Sequence, residues 1–164
     1  MKDSFELLLA GDGPGFDEVK DMSHQYGLAG NISYLGKLPS DEVYELFTKA
    51  DVIINIVAEG NPLQIPGKTF ELLSTGKPIL GIMQKGHETA HILYQSGLGF
   101  IHEPFDIKGI SNTLIELWEG WKKGIYLVQP NYDYIQSFSI EHLPSKIADV
   151  LSSIDNKAID LYFP

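Results

Sequence analysis

Residues 65–80, reading IPGKTFELLSTGKPIL, set a helix start with anion-binding character beside a carboxylate one turn in. Pro66 and Gly67 open the helix, and its first amides, those of Lys68, Thr69 and Phe70, have no acceptor one turn back. The spacing therefore predicts unpaired N–H groups at the mouth, where the helix dipole also favours phosphate. Lys68 adds a full positive charge at the same place. Glu71 lies about one turn further on, where its carboxylate can accept hydrogen bonds from two vicinal hydroxyls such as those of a ribose. A nucleoside diphosphate satisfies all of these groups together. The same residues are also ordinary helix grammar, a Pro-Gly opening with an acidic first turn and a stop at Gly76, so the rest of the chain has to decide.

The elements that must position this stretch follow from alternation along the chain. Short apolar runs predict strands at 5–10, 32–35, 52–57, 79–83 and 99–101. Between them lie helix-spaced segments. Val19, Met22 and Tyr26 share one face, with Gly27 as the stop; Ser40 caps a helix whose stripe is Val43, Leu46, Phe47 and Ala50; after the helix that opens near Gly67, another runs from about His87 to Ser96 and ends at Gly97. After the last strand, Ile110, Leu114, Leu117 and Trp121 make one stripe, and Ile140, Leu143, Ile147, Val150, Leu151 and Ile154 another, with Pro144 placing the start of that helix near Leu143. The NYDY segment between them reads as a loop, and the residues after Asp155 as a tail. Strand-helix alternation of this kind is the pattern of an α/β domain built round a parallel sheet, a Rossmann-like three-layer sandwich. Ligands of such sheets gather beyond the carboxyl ends of the strands, so the polar segments at 11–15, 36–40, 58–68 and 84–89 are expected on one rim.

Composition narrows the function. The chain of 164 residues is long enough for one sizeable core, and its net charge of −10, with no arginine at all, argues against a nucleic-acid partner. The absence of cysteine excludes disulfides and thiolate chemistry and fits a reducing compartment. No run approaches the roughly 18 apolar residues of a membrane helix, and the first fifteen residues lack a signal-peptide core. A soluble, cytoplasmic protein is expected.

Several motifs fail on spacing. GDGPG after the first strand would need a third glycine at position 16 to be a dinucleotide fingerprint, and Phe16 stands there. A phosphate loop ending in Gly67, Lys68 and Thr69 would need a glycine where Pro62 stands. His87 and His91 are spaced to share a metal on one helix face, but no third ligand accompanies them, and a solvated helix start is the better account. His24, His102 and His142 have no recognisable partner. A receiver domain would need an acidic pair after its first strand, and Asp12 is alone there.

Taken in order, FELLLAGDGP, NISYLGKLPSDEVYELFTKADVIINI, PGKTFELLSTGKPILGI and the GLGF turn near Gly97 resemble the C-terminal, nucleotide-sugar-binding half of GT-B glycosyltransferases, in particular the group 1 retaining class. The resemblance covers about residues 5 to 102. It implies a donor domain using a UDP- or GDP-sugar, with no tightly bound cofactor and no metal, serving polysaccharide or glycoconjugate assembly. By the same resemblance Glu71 binds the donor ribose, Gly67, Lys68 and Thr69 face the diphosphate, and Gly36 and Lys37 lie at the turn against the base. Leu63 stands where the family's first motif glutamate would touch the donor sugar, and Glu59 is the candidate replacement from the same loop.

The resemblance also implies that the family's first strand, its basic pair and the acceptor-binding half precede Met1, so the chain reads as a fragment, a single incomplete domain over 1–155 that is inactive alone. The acceptor, a glycan or glycoconjugate, would bind the other half, and peripheral membrane association of the full-length enzyme is compatible with this. With the family's central strand gone, the five strands are expected to close into the order 2-1-3-4-5, because two open inner edges invite aggregation. Two competing readings are half of a nucleotide-sugar epimerase of the same plan and a non-catalytic binding or assembly module.

Overall fold

The computed structural model describes residues 5–58 and 60–162, as strands and helices in strict alternation followed by three helices. Glu59 lies outside the described residues. The chain divides into two compact units, residues 1–49 and 50–164.

The first unit holds β1 (Leu7–Ala10), α1 (Phe16–Gln25), β2 (Ile32–Gly36) and α2 (Ser40–Lys49). β1 and β2 pair in parallel from Leu7 opposite Ile32 to Ala10 opposite Gly36, with one register shift after Leu9. Gly36 ends β2 at φ +65°, a conformation that favours glycine, and so turns the chain sharply at the carboxyl end of the strand. On α1 the expected stripe of Val19, Met22 and Tyr26 stays exposed, and the small Ser23 is the buried residue, its Oγ donating to Lys20 O at 2.6 Å. A two-stranded sheet is only about 10 Å wide, no wider than a helix with its side chains, so larger groups overhang it.

The second unit holds β3 (Ile53–Ile56), α3 (Lys68–Ser74), β4 (Ile79–Ile82), α4 (Glu88–Gln95), β5 (Gly99–His102), α5 (Ile107–Lys122), α6 (Tyr132–Gln136) and α7 (Leu143–Tyr162). Its sheet is parallel in the order β3-β4-β5, with Ile53 opposite Ile79 and Ile79 opposite Gly99. The central strand β4 has Ile79 and Leu80 fully buried, and Leu72, Leu73, Ile92, Leu93 and Leu98 close over them from α3, α4 and the turn before β5. Each such side chain contributes about 1.5–3 kcal/mol when taken from water. Gly81 is small by necessity, since a Cβ there would stand 2.7 Å from Ile101 and 3.1 Å from Met83. At the end of α4, Gly97 has φ +71° and lies directly under the Gln129 carbonyl, while Asn131 N donates to Ser96 O at 2.8 Å.

All five strands lie where the apolar runs place them. Within the first unit the order is 2-1 and within the second 3-4-5, as the expected order 2-1-3-4-5 has them in each unit. Each pairing joins consecutive strands through a single crossover helix. Two further differences concern the last third of the chain. NYDY is not a loop: Asn131 caps α6, its side chain accepting from Tyr134 N at 3.2 Å. Helix α7 begins at Leu143, as Pro144 predicts, and continues past Asp155 to Tyr162.

Candidate nucleotide site

Helix α3 has seven residues, too few to be stable alone, and its orientation is set by what it packs on. Thr69, Leu72 and Leu73 enter the core. Phe70, at the flank, lies 5.2 Å from the Phe138 ring, which in turn meets Tyr134 of α6 edge-on at 5.2 Å. Burial, and then the Glu88 carboxylate, push the Tyr134 hydroxyl above its ordinary pKa of 10.0. With those faces fixed, Lys68 and Glu71 point to solvent three residues apart on the remaining face, in the first turn after the carboxyl end of β3.

The mouth of α3 differs from the sequence expectation. Thr69 N donates to Pro66 O at 2.9 Å and Phe70 N to Gly67 O at 3.1 Å, so these two amides are engaged in a tightened first turn instead of standing open. Thr69 offers no side-chain donor at the surface either, because it is buried, its hydroxyl without a hydrogen-bond partner among the described residues. Gly67 has ordinary helical dihedrals and, among the described residues, nothing within 4 Å of where a Cβ would stand, so its flank is open. The groups presented by this turn are therefore the Lys68 ammonium, the open flank of Gly67 and the Glu71 carboxylate.

The loop before α3 is locked onto the start of α4. Asn61 forms a turn, accepting from Leu63 N through its side chain at 3.0 Å and from Gln64 N through its carbonyl at 3.0 Å, and Pro62 O accepts from Glu88 N at 2.8 Å. His87 is buried, not solvated as its neighbours suggested, and it caps α4, its Nδ1 accepting from Thr89 N at 3.2 Å. The proton of the neutral ring accordingly sits on Nε2. His91 stays exposed on α4, and among the described residues no group of three metal-ligating side chains occurs.

In the first unit, Gly36 and Lys37 form the turn after β2. Gly36 O accepts from Gly11 N at 2.7 Å, and Lys37 Nζ pairs with Asp12 Oδ2 at 2.9 Å.

One cluster escaped the sequence reading. His102, at the end of β5, places Nδ1 3.2 Å from Asp106 Oδ2 and Nε2 2.8 Å from Thr113 Oγ1. Asp106 caps α5 by accepting from Gly109 N at 2.9 Å; that bond, and next the hydrogen bond from His102, hold its carboxyl below the ordinary 3.8. The order hydroxyl, imidazole, carboxylate is that of a nucleophilic triad, but Thr113 is buried and closed to a substrate. The cluster clasps β5 to α5. The four-residue spacing of His102 and Asp106 was its only signal in the sequence.

The chain belongs to a family of sugar-transferring enzymes: the profile of glycosyl transferases group 1 matches residues 1–128. Among individual proteins it is similar to the probable glycosyltransferase WbjE of Pseudomonas aeruginosa, 31% identical over 110 residues that make up 66% of this chain and 27% of that one. Its fold is that of the Anabaena protein HepE, solved in complex with UDP, with a TM-score of 0.70, 21% identity and coverage of 91% of this chain and 41% of that chain. The sucrose-phosphate synthase of Thermosynechococcus elongatus is comparably similar, with a TM-score of 0.68, 13% identity and coverage of 93% and 39%. The chain thus spans about a quarter to two fifths of the length of these relatives. Among the described residues no helix is long and apolar enough to cross a membrane.

Proposed function

We propose that this chain provides the donor-binding surface of a nucleotide-sugar-dependent glycosyltransferase, taking a UDP- or GDP-sugar and acting with an acceptor-binding half in polysaccharide or glycoconjugate assembly. The observation that carries the reading is α3: in a chain of this family, packing of Thr69, Leu72 and Leu73 into the core leaves Lys68 and Glu71 together at the solvent face of the first turn. Lys68 supplies a cation for the diphosphate, Gly67 lets it approach the backbone, and Glu71 accepts from the ribose hydroxyls. With two amides of the mouth engaged, charge at Lys68 carries more of the phosphate recognition than backbone donors do. HepE, of the same fold, has been crystallised with UDP and with UDP-glucose, which favours uridine nucleotides as the first ligands to try. Gly36 and Lys37 are assigned to the nucleoside end of the ligand, and Glu59, with Leu63 in the position facing the sugar, to the transferred group.

Calorimetric titration of the intact protein with UDP and GDP tests the proposal. Saturable binding of one of them, weakened by Lys68→Ala, is expected. Saturation by neither leaves the non-catalytic assembly module, and conversion of the donor sugar to its epimer without transfer identifies the epimerase reading.

A further inference from the structure

Helix α5 leaves the carboxyl end of β5 and runs back along that strand, so its last turn lies toward the amino end of the sheet in the second unit. The segment that follows agrees, since Gln129 O lies over Gly97 and Asn131 N donates to Ser96 O just before β5 begins. Lys68 and Glu71, after the carboxyl end of β3, are at the other end of the same parallel sheet. Helix α5 stops in a Schellman turn: Gly124 has φ +66°, its N donates to Trp121 O at 3.0 Å, and Ile125 N donates to Gly120 O at 2.9 Å. The apolar contact that usually closes such a turn is missing here. Gly120 has no side chain, and Leu127 fills the space over it, 2.8 Å from where a Cβ would stand. Ile125 is accordingly 54% exposed, with Trp121 at 56% and Tyr126 at 66% on the same fixed segment.

Charge singles out the same residues. Lys122 and Lys123 are the only adjacent lysines in the chain, and between Glu119 and Asp133 there is no carboxylate, although the whole chain carries −10. Lys122 lies over the Trp118 ring with Nζ 3.3 Å from the centroid, Lys123 is exposed, and among the described residues neither forms an ion pair. We infer that residues 121–126 are a docking surface for an anionic lipid membrane. Trp121, Ile125 and Tyr126 enter the headgroup boundary, and Lys122 and Lys123 meet the lipid phosphates. Tryptophan and tyrosine favour that boundary because each joins an apolar ring to a polar tip, and lysine lays its stem along apolar surface while its ammonium reaches the anions. Screening confines surface electrostatics to about 8–10 Å, so a turn free of carboxylates is attracted even in an acidic chain. The inference goes beyond the donor-site reading and does not depend on it. Docking by this turn leaves the face of Lys68 and Glu71 open.

The test is co-sedimentation of the intact protein with vesicles of phosphatidylcholine alone, or of an equal mixture of phosphatidylcholine and phosphatidylglycerol, at physiological ionic strength. Binding to the mixed vesicles, and far less to the neutral ones, is expected. Lys123→Ala should weaken it about fivefold, the share of one lysine near an anionic surface. Trp121→Ala should weaken it about tenfold through lost apolar contact. Phe105→Ala and Lys108→Ala remove an exposed aromatic and an exposed lysine at the carboxyl end of β5 and should leave binding unchanged. Because the chain has only two tryptophans, quenching by brominated acyl chains can be assigned: it should be strong in wild type and largely lost in Trp121→Phe. The substituted side chains are exposed, so melting temperatures should not move. Tyr126→Ser, beyond the end of the helix, is a second apolar variant that must also lose binding. Absence of binding to the mixed vesicles, equal binding to both kinds, equal losses in the Phe105 and Lys108 controls, or binding without quenching of Trp121 would each overturn the inference.

Discussion

Replacing Glu71 by glutamine keeps the side-chain volume, keeps an acceptor oxygen and removes the charge. Hydrogen bonds to a charged group contribute about 1.5–3 kcal/mol, and the solvent exposure of Glu71 puts the effect at the lower end of that range. A loss of about 1.4 kcal/mol is tenfold in affinity, so UDP should bind about ten times more weakly to Glu71→Gln. The same substitution should cost a 2′-deoxyribose analogue clearly less, because one of the two hydroxyls that the carboxylate accepts from is gone. The assay is a four-way calorimetric comparison of wild type and variant with UDP and 2′-deoxy-UDP. Folding is not at issue, since Glu71 lies on the solvent face of α3 while Thr69, Leu72 and Leu73 make its core contacts. Equal losses for the two nucleotides, or none for either, would refute the assignment of Glu71 to the ribose.

Other substitutions test the frame around the site. Leu73→Ala removes a fully buried side chain of α3 and should destabilise the fold by about 2–5 kcal/mol, read from urea unfolding, with loss of nucleotide binding in parallel. Gly97→Ala should lower the melting temperature more than Gly76→Ala: both glycines have positive φ, but only the Cβ at 97 collides with the Gln129 carbonyl, and equal effects would mean that the 125–131 segment yields freely. Asp106 has a folded pKa below its ordinary 3.8, so its ionised form stabilises the protein above that pH and this contribution is lost as pH falls through the depressed value. Asp106→Asn should therefore flatten the acid limb of the stability profile below about pH 4; an unchanged limb would separate Asp106 from acid unfolding. Asn131→Ala removes the cap of α6 and should cost about 0.5–2 kcal/mol.

Much of this architecture was legible in the sequence because it is written in local terms. Each strand is a short apolar run between turn residues, and Ser40, Gly27, Gly97 and Pro144 mark helix ends that the structure places within a residue or two. Asn131 carried the same kind of signal, a cap followed by a helical turn, and was overlooked because α6 is only five residues long. What escaped depends on three-dimensional neighbours. The amides of Thr69 and Phe70 find acceptors three residues back, a choice between turn geometries that spacing cannot decide. His87 is buried at the start of α4, where Glu88 N donates to Pro62 O, and the pairing of Asp12 with Lys37 needs two turns far apart in the chain to meet.

The family profile ends at residue 128, yet the helix bearing Lys68 and Glu71 leans on Phe138 and, through it, on Tyr134. A version of the chain cut after its last recognisable family residue would keep every group assigned to the nucleotide and lose the aromatic brace that aims them. Substitutions at positions 134 and 138 should accordingly change nucleotide affinity from outside the stretch that the family profile covers, through the tilt of a seven-residue helix too short to hold its own direction.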